Sequence, residues 1–193
     1  LKVINMEQNN QTNYLESVKK QFLHYKKLAD QAIQQLEEKQ WFTQPNENSN
    51  SIAVIVKHMA GNMLSRWTDF LTTDGEKPWR KRDDEFKNDV TDKYQLLKFW
   101  EQGWKVFSAT LNSLTENDLQ RIIYIRNEGH TVMEAINRQL AHYPYHVGQI
   151  VYAAKLLKQS EWNTLSIAKN KSNDFNADKF SKEKQRKHFT DEN

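Results

Sequence analysis

Four stretches of the chain repeat apolar residues at spacings of three and four, the signature of helices with one buried face. The first runs from about Asn13 to Lys39, with Leu15, Val18, Phe22, Tyr25, Ala29, Ala32 and Leu36 on one seam. Asn13 followed by Glu16 suggests a cap at its start. The second runs from about Ser51 to Thr72 and is apolar over most of its circumference, so it is expected to be buried. One polar stripe crosses it: His58, Asn62, Ser65 and Asp69. The third runs from about Thr91 to Ser113, with Tyr94, Leu97, Trp100, Trp104, Phe107 and Leu111 on its face. The fourth, from Thr131 to Lys158, opens on a capping box of Thr131 and Glu134. Its face is Val132, Ile136, Leu140, Tyr143, Val147, Ile150, Ala154 and Leu157.

The connections carry their own pattern. Gln40 to Asn50 reads as a polar loop whose Trp41 and Phe42 tuck back onto the bundle end. Thr73 to Val90 is long, charged with both signs, and punctuated by Gly75 and Pro78. It predicts a solvated crossover between helices two and three, with Trp79 as an anchor. Thr115 and Asp118 could cap one turn, and Arg121 to His130 reads as extended chain into a turn at Gly129. Beyond Gln159 the periodicity fades, and residues 177–193 are highly charged, as expected of a frayed tail. The domain reading is an N-terminal extension over 1–12, a helical bundle over 13–176 and a flexible C-terminal tail. Met6 could be the natural start.

Composition narrows the class. The 193 residues suit one domain with a real core. Only 5 Gly and 3 Pro accompany the helical periodicity, so the fold class is all-α. With no Cys, any protein metal site must use His, Asp or Glu. A net charge of +3 gives no argument for nucleic acid. No run of about 20 apolar residues exists to span a membrane, and the first residues lack the apolar core of a signal peptide. The expectation is a cytoplasmic protein with no nucleic-acid or membrane partner.

The chemistry concentrates on the fourth helix. Beside its apolar face lie Gln139, His142, His146 and Gln149. His142 and His146, four apart, point the same way from consecutive turns and could hold two positions of one metal ion. Pro144 between them predicts a kink, since it removes a backbone donor and presses on the carbonyl of Leu140. His58 on the second helix is the third candidate ligand, whereas His24 falls off its seam and reads as a boundary residue. Three imidazoles from two helices would leave an open coordination position, the arrangement of catalytic rather than structural sites. On spacing alone, boundary histidines bonded to backbone remain the alternative. Tyr143-Pro144-Tyr145 stands where a zincin would place its glutamate general base, so that class is not indicated. Asp69, Glu128 and Glu134 are the nearest acids by sequence, and whether Glu128 and His130 approach the site is open.

The order of His58 in IVKHMAGN and then HYPYHVGQI, His142 to Ile150, resembles the DinB-like superfamily of helical bundles. That group includes YfiT-type metal-dependent hydrolases and bacillithiol transferases. The stretches NSIAVIVKHMAGNMLSRWTDFLTTDGEKPW and RNEGHTVMEAINRQLAHYPYHVGQIVY are similar to a branch known only as a domain of unknown function. The resemblance covers roughly Asn13 to Asn176. It implies a four-helix bundle, a zinc or nickel ion on His58, His142 and His146, and frequent homodimers; it carries no substrate.

Within that frame thiol transfer is favoured over hydrolysis, because a metal-bound thiol loses its proton outright and needs no protein base. The partner would be a small-molecule substrate such as a low-molecular-weight thiol. Asn62, Asp69 and Gln149 would orient ligands or touch substrate. The alternative is a non-catalytic, metal-stabilised bundle that acts by binding.

Overall fold

The computed structural model describes residues 13–191, so the N-terminal extension and Met6 lie outside the described residues. The fold is all-α, as the periodicity predicts. Its helices are α1 (Tyr14–Gln34), α2 (Glu38–Phe42), α3 (Ile52–Trp67), α4 (Lys93–Ser113), α5 (Val132–Lys158) and α6 (Ser172–Phe180). A small hairpin of β1 (Ile122–Ile125) and β2 (Glu128–Thr131) precedes α5. None of the described helices is long and apolar enough to cross a membrane.

Four helices, α1, α3, α4 and α5, build the bundle. Lys26 bonds Glu101 and Phe22 packs on Phe107, so α1 and α4 run antiparallel. Gly103 abuts Ala60 and Thr110 donates to the Trp67 carbonyl, so α3 and α4 run parallel. A parallel pair cannot be joined by a tight turn, which is why the connection over 68–92 is a crossover. The α3–α4 approach needs Gly103, whose Cβ would lie 3.0 Å from the Ala60 Cα. The core between the four is aromatic: Phe22, Trp67, Trp100, Trp104, Phe107 and Tyr143 are buried. The polar edges of these rings are partly anchored, as where Trp100 Nε1 donates to Asp30 Oδ1 at 2.8 Å.

Several boundaries differ from the sequence reading. The first helix stops at Gln34 instead of Lys39. Gln35 turns outward to bond both the N–H and the C=O of Asn163, and a new capping box of Glu37 and Gln40 starts α2. Residues 38–42 are therefore helix, with Trp41 buried. The Asn13 side chain makes no cap bond; its carbonyl accepts from Ser17 in the ordinary helical way. Helix α3 ends at Trp67, where Asp69 takes a left-handed conformation (φ 49°) and its carbonyl accepts from Thr72 and Thr73. Phe70 still reaches the core by stacking on Trp67, 4.5 Å between ring centres.

The hairpin turn falls at Arg126 and Asn127, both at positive φ, and not at Gly129, which pairs with Tyr124 within the ladder. Two consecutive left-handed residues match the twist of the flanking strands, and Asp74 stabilises them by accepting both backbone N–H groups. Thr115 and Asp118 do cap a single turn. Tyr94, expected on the buried face of α4, is 77% exposed, and Trp79, expected as an anchor, is 57% exposed. Helix α6 spans position 176, and beyond it Lys20 pairs with Asp191 and His188 bonds Ser17, which lays the chain end on α1.

The charged connection is the largest departure. It is only partly solvated: Lys81, Arg82, Asp83, Lys87 and Asp89 are exposed, but Lys77 and Glu85 are buried and the Arg80 side chain is 2% exposed. A short 3-10 turn over Arg82–Phe86 packs against α3. Ser65 fastens the start of the connection, donating to the Gly75 carbonyl at 2.7 Å and accepting from the Lys77 N–H. Mixed charge here marked both an exposed outer side and an internally paired inner one.

Candidate metal centre

His58 faces α5 because α3 and α5 run antiparallel across the bundle, with Asn62 opposite Tyr143. Helix α5 begins at the Thr131–Glu134 capping box and runs unbroken through Pro144. The ring removes the N–H that would reach Leu140, and the helical assignment continues past both histidines. His142 and His146 therefore stand on one side of consecutive turns.

The three imidazoles converge. His142 Nε2 lies 3.1 Å from His146 Nε2 and 3.5 Å from His58 Nε2. One ligand atom from each lies within 4.8 Å of the others. Three nitrogens bound tetrahedrally at metal–N distances of ~2.0–2.1 Å sit ~3.3 Å apart, so the observed spacing fits a single transition-metal ion.

Each ring is oriented through its other nitrogen. His58 Nδ1 donates to Glu85 Oε2 at 2.9 Å. His146 Nδ1 meets Gln149 Oε1 at 2.8 Å, and His142 Nδ1 meets Gln139 Oε1 at 3.4 Å. An imidazole that donates from Nδ1 and stays neutral carries a bare lone pair on Nε2. Three such lone pairs aimed at one another repel unless a cation lies between them, and this donor set suits a divalent metal.

Charge reinforces that state. Burial, aided by repulsion from His146 and His58, pushes the His142 pKa down to about 3. Burial also lowers that of His146, against the Gln149 hydrogen bond, which favours its charged form. Burial works to raise the pKa of Glu85, but the hydrogen bonds from His58 and Arg80 outweigh it and hold Glu85 below its ordinary value. Arg80 grips this carboxylate with two bonds, Nε to Oε1 at 2.8 Å and Nη2 to Oε2 at 2.9 Å.

Glu85 occupies space left by Gly61, where a Cβ would collide with its carboxylate. Phe86 covers His58, 4.7 Å between ring centres.

The expected supporting residues are placed unevenly. Gln149 orients His146. Asn62 is buried beside the cluster, where its Oδ1 accepts from the Tyr143 hydroxyl at 3.1 Å. That hydroxyl in turn accepts from Trp67 Nε1 at 3.2 Å. Asp69 lies past the end of α3, exposed, and outside the group of converging ligands. Glu128 and His130 sit on the hairpin, also outside it. His24 lies on α1, edge-on to Tyr25 and Phe189. Glu85 and Arg80 escaped the sequence reading. The fit of a glycine one turn after His58 could have signalled an intruding side chain, but nothing in the spacing picks Glu85 from its acidic neighbours Asp83 and Asp84.

The cluster opens onto a cleft of about 270 Å³ lined by His58, His142, Asn62 and Gln139 together with arginines. No curated protein and no solved structure matches the chain. A family model matches residues 9–171, most of the sequence. The chain therefore belongs to the family described as "Protein of unknown function (DUF1572)".

Proposed function

We propose that this chain is a metal-dependent enzyme of the DinB-like type, with His58, His142 and His146 holding a divalent ion, zinc or nickel. The observation that carries the reading is the set of three Nε2 atoms turned to one point while Glu85, Gln139 and Gln149 engage the opposite nitrogens. Such outer partners fix tautomer and ring orientation at metal sites. When bound, the metal would supply a Lewis acid that lowers the pKa of a coordinated thiol or water.

Thiol transfer is favoured over hydrolysis because, among the described residues, the carboxylate that touches the cluster, Glu85, is already engaged. Glu85, in contact with His58, is engaged by His58 and by two bonds from Arg80. Asp69, the acid that could have closed the site, lies away from it. The cleft beside His58 and His142 would give a small molecule access to an ion held by the histidines, which favours a catalytic over a purely structural ion.

The test is conjugation of a low-molecular-weight thiol to 1-chloro-2,4-dinitrobenzene by metal-loaded protein. Sulfur bonds to the ring carbon, chloride leaves, and the thiol proton passes to solvent. Metal-dependent conjugation that disappears in His146→Ala is the expected result. No conjugation of any electrophile with any thiol, alongside metal-dependent hydrolysis of an ester, would replace transfer by hydrolysis.

A further inference from the structure

Five arginines from four parts of the chain surround the cleft that leads to the histidines: Arg66, Arg80, Arg82, Arg126 and Arg138. Helix α3 supplies the first, the crossover the next two, the hairpin turn Arg126 and α5 the last. Two carboxylates are set among them. Glu76 Oε2 lies 3.1 Å from Arg66 Nη1, 3.8 Å from Arg80 Nη1 and 3.0 Å from Arg126 Nη2. Glu85 takes the remaining donors of Arg80. The guanidinium groups outnumber the carboxylates that pair with them: Glu76 and Glu85 hold Arg66, Arg80 and Arg126, Asp83 lies 3.8 Å from Arg82, and Arg138 has no ion pair with a described residue.

The excess is not evenly spread. Arg66 and Arg80 form a buried floor tied to Glu76 and Glu85. Arg82 and Arg126 are about half exposed at the rim. Arg82 has one loose pairing, 3.8 Å to the fully exposed Asp83, and its guanidinium lies over the Phe86 ring that covers His58. Asp74 uses its oxygens on the backbone of Glu76, Arg126 and Asn127. Arg138 is exposed on α5 one turn before His142 and makes no ion pair or hydrogen bond with any described residue. A second opening of about 470 Å³ shares Arg80, Arg82 and Arg126 and adds Lys81, Asp83 and Asp84, so the charge becomes mixed outward from the cleft.

Assembling five guanidiniums around one cavity is electrostatically unfavourable unless something anionic offsets it. Guanidinium is the group best matched to carboxylate and phosphate, through paired N–H donors. The Cβ atoms of residues four apart on a helix lie ~5–6 Å from each other, so Arg138 and His142 leave one side of α5 on consecutive turns. We propose that the cleft recognises an anionic substrate: its carboxylate or phosphate group binds Arg138, Arg82 and Arg126, and its reacting atom lies about one helical turn away at the histidine cluster. This rests on the metal-site reading for the reacting end only; the anion site stands on the arginines.

Two titrations separate these parts. In the first, metal-free protein, dialysed and never exposed to chelator, is titrated with inorganic phosphate and with succinate by calorimetry. Saturable binding is expected, weakened at least about tenfold in Arg138→Gln and unchanged in Arg186→Gln, a control arginine outside the cleft. Absence of saturable binding, or equal binding by wild type and Arg138→Gln, overturns the proposal.

In the second, cobalt-loaded protein is titrated with mercaptosuccinate and with neutral thioglycerol, read by the thiolate–cobalt absorption. The dicarboxylate is expected to bind at least about tenfold tighter, with the gap closing in Arg138→Gln. Equal affinities for the two thiols would overturn the link between anion and reacting end. Anion binding without any metal uptake would sink the metal reading and leave the anion site intact.

Discussion

His58 Nδ1 and Glu85 Oε2 stand 2.9 Å apart although 27 positions separate them in the chain. The bond fixes which nitrogen of His58 faces the cluster, because an ionised carboxylate only accepts. It also ties the charged crossover to the candidate centre, since the same carboxylate is held by Arg80.

Glu85→Gln is expected to weaken metal binding about 10–100-fold, the usual cost of losing an outer partner at a metal site. The helical content by circular dichroism should be unchanged. Competition with a chromophoric chelator reads the affinity; a wild-type value in the variant would show that Glu85 does not orient the ligand.

Gly61→Ala should reproduce that loss by another route. Alanine favours a helix over glycine by about 1 kcal/mol, so the helix itself gains. The added Cβ, however, displaces the Glu85 carboxylate. Once Glu85 is already alanine, adding Gly61→Ala should cost little further affinity. Independent, additive losses in the double variant would mean the two residues do not act together.

Metal-free protein should lose stability in mild acid. With its folded-state pKa pushed to about 3, His142 is neutral in the fold where the unfolded chain takes up a proton. Stability is then fully present above the ordinary imidazole value of ~6.5 and falls as pH drops from there toward about 3. Urea unfolding of wild type should shift more between about pH 7.5 and pH 5 than that of His142→Gln. Identical shifts would contradict the depressed pKa.

Tyr143→Phe should destabilise the fold by about 1–3 kcal/mol, because it strips buried partners from Asn62 and Trp67. A thermal melt that matches wild type would contradict the buried network.

The helices and the three histidines were legible because each is a local pattern. Spacing of three and four sets a helix face, and His142 and His146 share one turn-to-turn relation. The single seam from Leu15 to Leu36 could not reveal that the chain breaks at Gln35, since a new helix continues the same apolar rhythm. Asp69 looked in register with His58, Asn62 and Ser65, but registers count only while the helix lasts, and α3 ends two residues earlier. Glu85, Arg80 and the cleft arginines depend on contacts between distant segments, and no spacing along the chain encodes them. Charge alone suggested water; pairing placed Glu85, Arg80 and Arg66 inside.

The measurement that tests the central claim most directly is the metal content of untagged protein by mass spectrometry, beside His58→Ala and His146→Ala. About one equivalent of a divalent transition metal is expected in wild type, lost in both variants. No metal in wild type after incubation with zinc and with nickel, or undiminished metal in either variant, would contradict it.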